Sequence, residues 1–422
     1  MELNQSIFDY IDDNHYDYPK VFKSDHRIRL FEAFAGIGCQ RMALNRLKVP
    51  YESVGISEID KYSLLSYEAI HGDCRNYGDI TKMTYIPECD IFTWSFPCTD
   101  LSKAGKQKGL DGTRSGLVYE VLRLLKATEI KPKVLIMENV VDLVQELFKA
   151  KFYEIQKEIA KLGYENHTMV LNGNDYGVAQ NRERVFMVSI LGGGRYEFPV
   201  KEKLEKRLKD YLEESVDEKY YLSEKMLNFF QENSQVNEEK GNGFRFKPKT
   251  DEELAFAITT RAGARMDDNF IQEPSIAIPE ATEKGFALAE DGDGVYINRP
   301  HQKRGCVQKG MIQTLKTSGN DVGVVVGIGV HPNSKKLEFN GFHDTNCPTI
   351  LATDYKAPKC IQYNNLRIRK LTPLECWRLM GIDDEDFYKA QAVCSNSQLY
   401  KQAGNGIIVD VFAKILQGLI EL

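Results

Sequence analysis

The stretch RIRLFEAFAGIGCQ, residues 27–40, decides the fold. Residues 27–34 are apolar and β-rich, Gly36-x-Gly38 follows at once, and a helical apolar period runs over residues 40–47. A strand that turns through glycines into a helix opens a parallel α/β sheet, and glycines let backbone N–H groups come close to a ligand. The same alternation continues outward. Strands are predicted at 51–57, 90–95, 134–137, 168–171 and 184–190, and helices at 61–71, 116–128 and 152–162. This pattern predicts an α/β fold with a doubly wound, mostly parallel sheet. Ligands of such sheets sit in the loops at the carboxyl ends of the strands.

The chain has 422 residues, with 55 Lys+Arg against 61 Asp+Glu, a formal charge of −6. Apolar residues make up 42% and charged residues 27%, which excludes disorder, collagen and coiled coil as the main architecture. No apolar run is long enough to cross a bilayer; residues 322–330 are short, glycine-broken and read as a buried strand. The acidic N-terminus lacks the basic-then-apolar pattern of a secretory signal. Nine cysteines include no C-x-x-C pair, so neither a disulfide framework nor a four-ligand zinc site is indicated. The expected location is cytoplasmic. The acidic total leaves a nucleic-acid partner open, because a local basic face decides that.

After residue 191 the texture changes. Gly192-Gly193-Gly194 reads as a hinge, residues 201–218 are charged and mostly helical in pattern, and residues 241–362 are short β-rich pieces broken by Gly, Pro, Asn and Asp. A smaller, mainly β domain is expected there. Residues 404–422 read as a loop and an apolar helix that packs back on the first domain, since an isolated helix of that length is marginal.

Four places carry chemistry. At the glycine turn, Arg41 stands where a dinucleotide fingerprint has its third glycine, which disfavours NAD and FAD. Glu58 follows at the end of the next strand, where a carboxylate can accept both hydroxyls of a ribose, and Asp79 ends a further short segment. Together these point to an adenosyl group without a pyrophosphate; an ordinary tight turn and two solvated acids would use the same residues. Cys98 follows Pro97 at the end of an apolar strand, with Lys103, Lys106 and Lys108 after it, a setting that favours a thiolate and can grip phosphates. Glu138 ends the apolar run 134–137, where burial raises a carboxyl pKa. Arg182 and Arg184 alternate on one predicted strand, each a planar fork for a carbonyl or phosphate, or else for a surface salt bridge.

Taken in order, these motifs resemble the DNA cytosine-5 methyltransferases of bacterial and phage restriction–modification type. The resemblance rests on Phe34-Ala35-Gly36-Ile37-Gly38, Glu58, Gly78-Asp79-Ile80, Phe96-Pro97-Cys98, Glu138-Asn139-Val140 and Gln180-x-Arg182-Glu183-Arg184. It continues through Arg369-Lys370-Leu371-Thr372-Pro373-x-Glu375 and Gln402-x-Gly404-Asn405-Gly406, covering residues 27–190 and 369–422. The sequence departs from the usual family pattern at Cys39, Ser95, Thr99 and Gly406.

The resemblance implies a Rossmann-like methyltransferase core of residues 27–191 plus 401–422, a target-recognition domain of residues 192–400, and an N-terminal extension of residues 1–26. It implies methyl transfer from S-adenosyl-L-methionine, leaving S-adenosyl-L-homocysteine, to C5 of a flipped-out cytosine in a short sequence of double-stranded DNA, without a metal. Cys98 would be the nucleophile at C6, Glu138 would act at N3, Arg184 would hold O2 and Arg182 would support the Cys98 loop. Phe34, Ala35, Gly36, Ile37, Gly38, Glu58, Ile59, Asp79, Ile80, Pro97 and Asn405 would contact the cofactor, and residues 99–114 would close over the base. A monomer is expected, with no membrane partner. A cognate restriction endonuclease would act on the same site without direct binding. A transfer-RNA methyltransferase of the same family is disfavoured by the large middle region. Lys359, Arg367, Arg369, Lys370 and Arg378 form a basic stretch suited to one wall of a DNA cleft. Arg261, Arg265, Lys316, Ser318, Asn320 and Tyr355 are base readers by chemistry.

Overall fold

A computed structural model describes residues 20–97, 116–241, 243–274, 276–279, 286–289, 294–296, 307–308, 322–324 and 366–422. Cys98, residues 99–114, Lys316, Ser318, Asn320, Tyr355 and Lys359 therefore lie outside the described residues. The chain divides into two compact units. The first comprises Met1–Glu214, Glu252–Asn269 and Leu371–Leu422, and the second Ser215–Asp251 and Phe270–Lys370.

The strands of the first unit are β1 Ile28–Ala33, β2 Tyr51–Ser57, β3 Ile91–Trp94, β4 Val134–Asn139, β5 Tyr164–Asn172, β6 Gln180–Asn181, β7 Glu183–Leu191 and β8 Ala255–Phe256. Its first helices are α1 Cys39–Leu47, α2 Lys61–His71, α3 Leu117–Ala127 and α4 Lys149–Lys161. The main sheet has the order β2-β1-β3-β4-β7-β5. Strands β2, β1, β3 and β4 run parallel, while β7 is antiparallel to both β4 and β5. The short connection from β5 to β7 explains that reversal, because parallel neighbours need a long crossover.

One face of the sheet buries Phe31, Phe92, Trp94, Leu135 and Met137 against Val118, Val121 and Leu125 of α3 and Ile155 and Ile159 of α4. In register, Ala33 pairs with Trp94 and Trp94 with Met137. Phe34 and Ser95, where the chain leaves β1 and β3, therefore stand beside Glu138 near the end of β4, at one edge of the sheet.

The domain boundaries expected at 191/192 and 400/401 differ from these units, since residues 192–214, 252–269 and 371–400 belong to the first. Charge conceals the reason. Within 192–214 the buried residues Tyr196, Leu208 and Tyr211 alternate with exposed lysines and acids, and Tyr196 Oη donates to the Ile415 carbonyl at 3.0 Å. The helical pattern expected over 201–218 is not realised; the described structure there is two 3₁₀ turns, Leu208–Tyr211 and Glu218–Tyr220. Its lysines pair with other segments, Lys201 with Asp175 and Lys209 with Glu252, rather than along a helix.

After α5 Glu224–Glu239 of the second unit, the chain ends in four helices of the first: α6 Pro373–Arg378, α7 Asp384–Gln391, α8 Asn396–Asn405 and α9 Val409–Gln417. The start of α6 is set by a capping box, with Thr372 and Glu375 each accepting the other's backbone N–H, worth about 1 kcal/mol. As expected, the last helix packs back, with α9 lying against α1. The expected loop at 404 is instead the final turn of α8. No helix among the described residues is long and apolar enough to cross a membrane.

The second unit pairs β9 Phe270–Pro274 antiparallel with the strand Leu366–Lys370. Phe230 of α5 packs on Phe246 and Phe270. Short strands at Ile276–Pro279, Phe286–Ala289, Gly294–Tyr296, Val307–Gln308 and Val322–Val324 give the region its β character. The basic stretch is corrected at two positions. Arg369 is fully buried with its Nε 2.6 Å from Glu273, and Arg378 of the first unit is bound to both carboxylate oxygens of Asp384. Neither guanidinium stands free for a phosphate.

Candidate active site

The site grows from the carboxyl edge of the first unit's sheet. After β1 the chain takes positive φ at Phe34 (55°), Gly36 (58°) and Gly38 (79°) before entering α1. The Phe34 and Ala35 N–H groups donate to the Ser57 carbonyl, which ties the turn to the end of β2. Ala35 and Ile37 have buried side chains, so those two residues offer only backbone to a ligand.

Glu58 stands opposite. Its Oε2 accepts from Gly36 N–H at 2.9 Å, and its Oε1 accepts from the Ile59 and Asp60 N–H groups at 2.8 Å each. Ile59, beside it, is 74% exposed. Asn76 joins this corner to the next, since its side chain bonds the Glu58 backbone in both directions and accepts from Gly78 N–H. Asp79 caps a short turn through Thr81, whose N–H and hydroxyl hold the carboxyl below its usual range. Ile80 points into the core, away from this surface.

At the end of β4, Glu138 is buried and lies 3.1 Å from Arg184 Nε. Burial pushes its carboxyl pKa up, against the pull of Arg184 and Arg182 and a hydrogen bond from Ser95. Asn139, next in the chain, turns its Nδ2 to the Phe96 carbonyl at 3.0 Å and accepts from Val140 N–H. That contact fixes the chain at Phe96-Pro97, where it enters Cys98.

Arg182 does not share a strand with Arg184. It falls in the break between β6 and β7, because Gln180 pairs instead with Ala255 of β8. Arg182 is buried and donates to the Ile258 carbonyl at 3.0 Å and to the Gly404 and Gly406 carbonyls at 2.9 Å each. It thereby braces the turn that exposes Asn405. Gln180, also buried, receives Ile258 N–H and donates to the Leu379 carbonyl.

Two departures from the usual family pattern meet in space: a Cβ on Gly406 would stand 3.3 Å from Cys39 Sγ. Cys39 also feels the charges of Glu32, Arg182 and Glu138. The glycine turn, the Asn405 turn and the Glu138–Arg184 pair are thus one neighbourhood. Sequence reasoning passed over Asn76, Asn139 and Gln180 as positioning groups; the last two stood inside motifs already quoted.

The sequence profile of the family C-5 cytosine-specific DNA methylase matches residues 28–421. The chain belongs to that family. This DNA (cytosine-5) methyltransferase is 30% identical over 453 residues to the type II methyltransferase M2.ScrFI of Lactococcus lactis subsp. cremoris, covering 93% of this chain and 99% of the relative. It is 32% identical over 448 residues to the orphan methyltransferase M.SPRI of Bacillus phage SPR, covering 93% and 98%. Among solved structures, the methyltransferase fold is matched by S. pombe Dnmt2 methyltransferase (TM-score 0.59, 18% identity, 93% of this chain and 98% of that one). The Entamoeba histolytica methyltransferase EhMeth matches similarly (TM-score 0.60, 16% identity, 93% and 98%).

Proposed function

We propose that the enzyme transfers the methyl group of S-adenosyl-L-methionine to C5 of a cytosine in a short sequence of duplex DNA, with the base flipped out and bonded through C6 to Cys98. One observation carries this reading: the buried Glu138 carboxyl, raised by burial and paired with Arg184, beside the Phe96-Pro97 exit that leads to Cys98.

The glycine turn fits an adenosyl group. A Cβ on Gly36 would meet nothing within 4 Å, so the face above the turn is open. Glu58 is held with both oxygens oriented yet keeps lone pairs for two ribose hydroxyls, and the exposed Ile59 offers an apolar platform for a base. Asp79, Pro97 and Asn405 complete the proposed contacts. When bound, the sulfonium supplies an electrophilic methyl group.

The chain's residues do the rest. C5 of cytosine is a weak nucleophile until a thiolate adds at C6 and turns the ring into an enamine. Cys98 forms that C6–S bond. The Glu138 acid gives its proton to N3 as charge builds, and the carboxylate left behind is stabilised by Arg184 and Arg182. Arg184 also holds O2. C5 would take the methyl group, leaving S-adenosyl-L-homocysteine; a base then removes the C5 proton, the C6–S bond breaks to return the thiolate, and N3 gives its proton back to the Glu138 carboxylate. Flipping the base costs roughly a few kcal/mol.

The second unit would read the major groove. In the first unit, Arg261 and Arg265 are presented on a turn that Asp268 pins by accepting from the Ala264 and Arg265 N–H groups and the Thr259 hydroxyl. The type II relative supports a role as the protective half of a restriction–modification system.

Duplex DNA carrying 5-fluorocytosine at the target tests the chemistry, with bisulfite sequencing of DNA from expressing cells locating that target. A persistent covalent complex is expected, lost in Cys98→Ser. Parental methylation by Cys98→Ser overturns the nucleophile, and product without any adduct overturns the C6 route.

A further inference from the structure

A buried acid lies directly beneath the glycine turn, and the reaction derived above does not use it. Glu32 of β1 is fully buried, with Ile56 and Thr93 as its neighbours across the sheet. The Tyr67 hydroxyl of α2 donates to its Oε2 at 2.7 Å, and the Arg41 backbone N–H in the first turn of α1 leans on the same carboxylate. The Arg41 guanidinium lies over the Tyr67 ring, with Cζ 5.9 Å from its centroid. Glu32 Oε1 and Thr93 Oγ1 are buried and meet no hydrogen-bond partner among the described residues. A carboxylate so placed is favoured by the helix N-terminus and disfavoured by desolvation.

Helix α2 touches the turn itself. A Cβ on Gly38 would stand 2.5 Å from His71 Nε2 and 2.7 Å from Tyr67 Cε2, and His71 Nε2 donates to the Ile37 carbonyl at 3.0 Å. Glu32 thus holds the turn from two sides, through the start of α1 and through Tyr67.

We propose that Glu32 is a positioning residue for the S-adenosyl ligand: its carboxylate fixes the turn from Phe34 to Gly38, and proton uptake by it loosens that turn and weakens binding. This rests on the cofactor reading of the turn.

The groups that face Glu32 and its partners are Arg41 and Cys39 from α1, Tyr67 and His71 from α2, Tyr51 beside Arg41, Cys74 beside Tyr67, and Lys389 beyond His71. Glu138 and Arg182 lie within electrostatic reach of Cys39. Burial drives His71 down to about 4, Cys39 up to about 12 and Tyr67 upward, all away from neutrality. Burial brings Glu32 to about 7.

The experiment is calorimetric titration of the full chain with S-adenosylhomocysteine, for the parent, Glu32→Gln and Tyr67→Phe. With Glu32 at about 7, the ionised fraction falls from about nine-tenths at pH ~8 to about one-tenth at pH ~6, so the parent Kd rises up to about tenfold. Glu32→Gln should bind weakly at both pH values, with a Kd ratio near one. Tyr67→Phe keeps the ring but removes a donor to the carboxylate, so its pH midpoint should move upward. Parental affinity and parental pH dependence in Glu32→Gln overturn the proposal while leaving the cofactor reading intact. If that variant does not fold, an unmoved midpoint in Tyr67→Phe overturns it. No binding by the parent at any pH overturns both readings.

Discussion

Replacing Arg182 should open the site from behind. One guanidinium serves three carbonyls in two segments far apart in sequence, that of Ile258 in one and those of Gly404 and Gly406 in the other. Each hydrogen bond from a charged donor is worth about 1.5–3 kcal/mol. Bonds that share one donor are not additive, so Arg182→Ala should cost about 3–5 kcal/mol, a large part of a typical stability of about 5–15 kcal/mol. Arg182→Lys keeps the charge but not the planar fork, so about half that loss is expected. Urea unfolding followed by tryptophan fluorescence reads the effect cleanly. Both tryptophans, Trp94 and Trp377, are fully buried in the first unit. Hydrogen exchange should rise first around Ile258 and Gly404. Unfolding of Arg182→Ala within about 1 kcal/mol of the parent would refute the bracing role.

Glu138→Gln should lower kcat by about 10²–10⁴. In the parent, activity should fall as pH rises through the raised Glu138 pKa, because the donated proton is lost; the Gln variant should lack that limb in a kcat/KM profile. The same raised pKa gives a stability contribution that is present at low pH and lost as pH rises through the folded value, and denaturation of the Gln variant should lack that slope. Gly36→Ala and Gly38→Ala should part company. The first meets only φ strain of about 1–2 kcal/mol and should fold while losing S-adenosylhomocysteine affinity. The second drives a methyl into His71 and Tyr67 and should lower the melting temperature sharply; equal melting of the two would sink the distinction. At Asp90, burial pushes the carboxyl up, but bonds from Arg29 and His26 bring it net below its usual range. Its stabilisation should fade as pH falls through that lowered value, and Asp90→Asn should flatten the acid limb of the melting curve.

The strand–glycine–helix signal at residues 27–47 was legible because period and turn chemistry agree there, and the following helix at Lys61–His71 shows the same agreement. The places of Glu58 and Glu138 in the fold were legible for a related reason: each directly follows a predicted strand, at 51–57 and 134–137. Arg182 was harder. Its alternation with Arg184 reads as one strand face, and only the pairing of Gln180 with Ala255, distant in sequence, pulls the chain out of that register. Long-range pairing also decides the fate of Arg369, whose partner Glu273 is invisible to any local pattern. Helix α5 escaped notice because its apolar residues are scattered among charges. The residues that hold the site together, Asn139 and Gln180, act through side-chain bonds to backbone, which leave no periodic trace.

Because Arg182 donates to a carbonyl as late in the chain as that of Gly406, its bracing cannot be completed on a nascent polypeptide until translation has passed that point. A chain cut short before Gly404 buries the Arg182 charge without the Gly404 and Gly406 carbonyls, so truncated chains should unfold more readily than the full one.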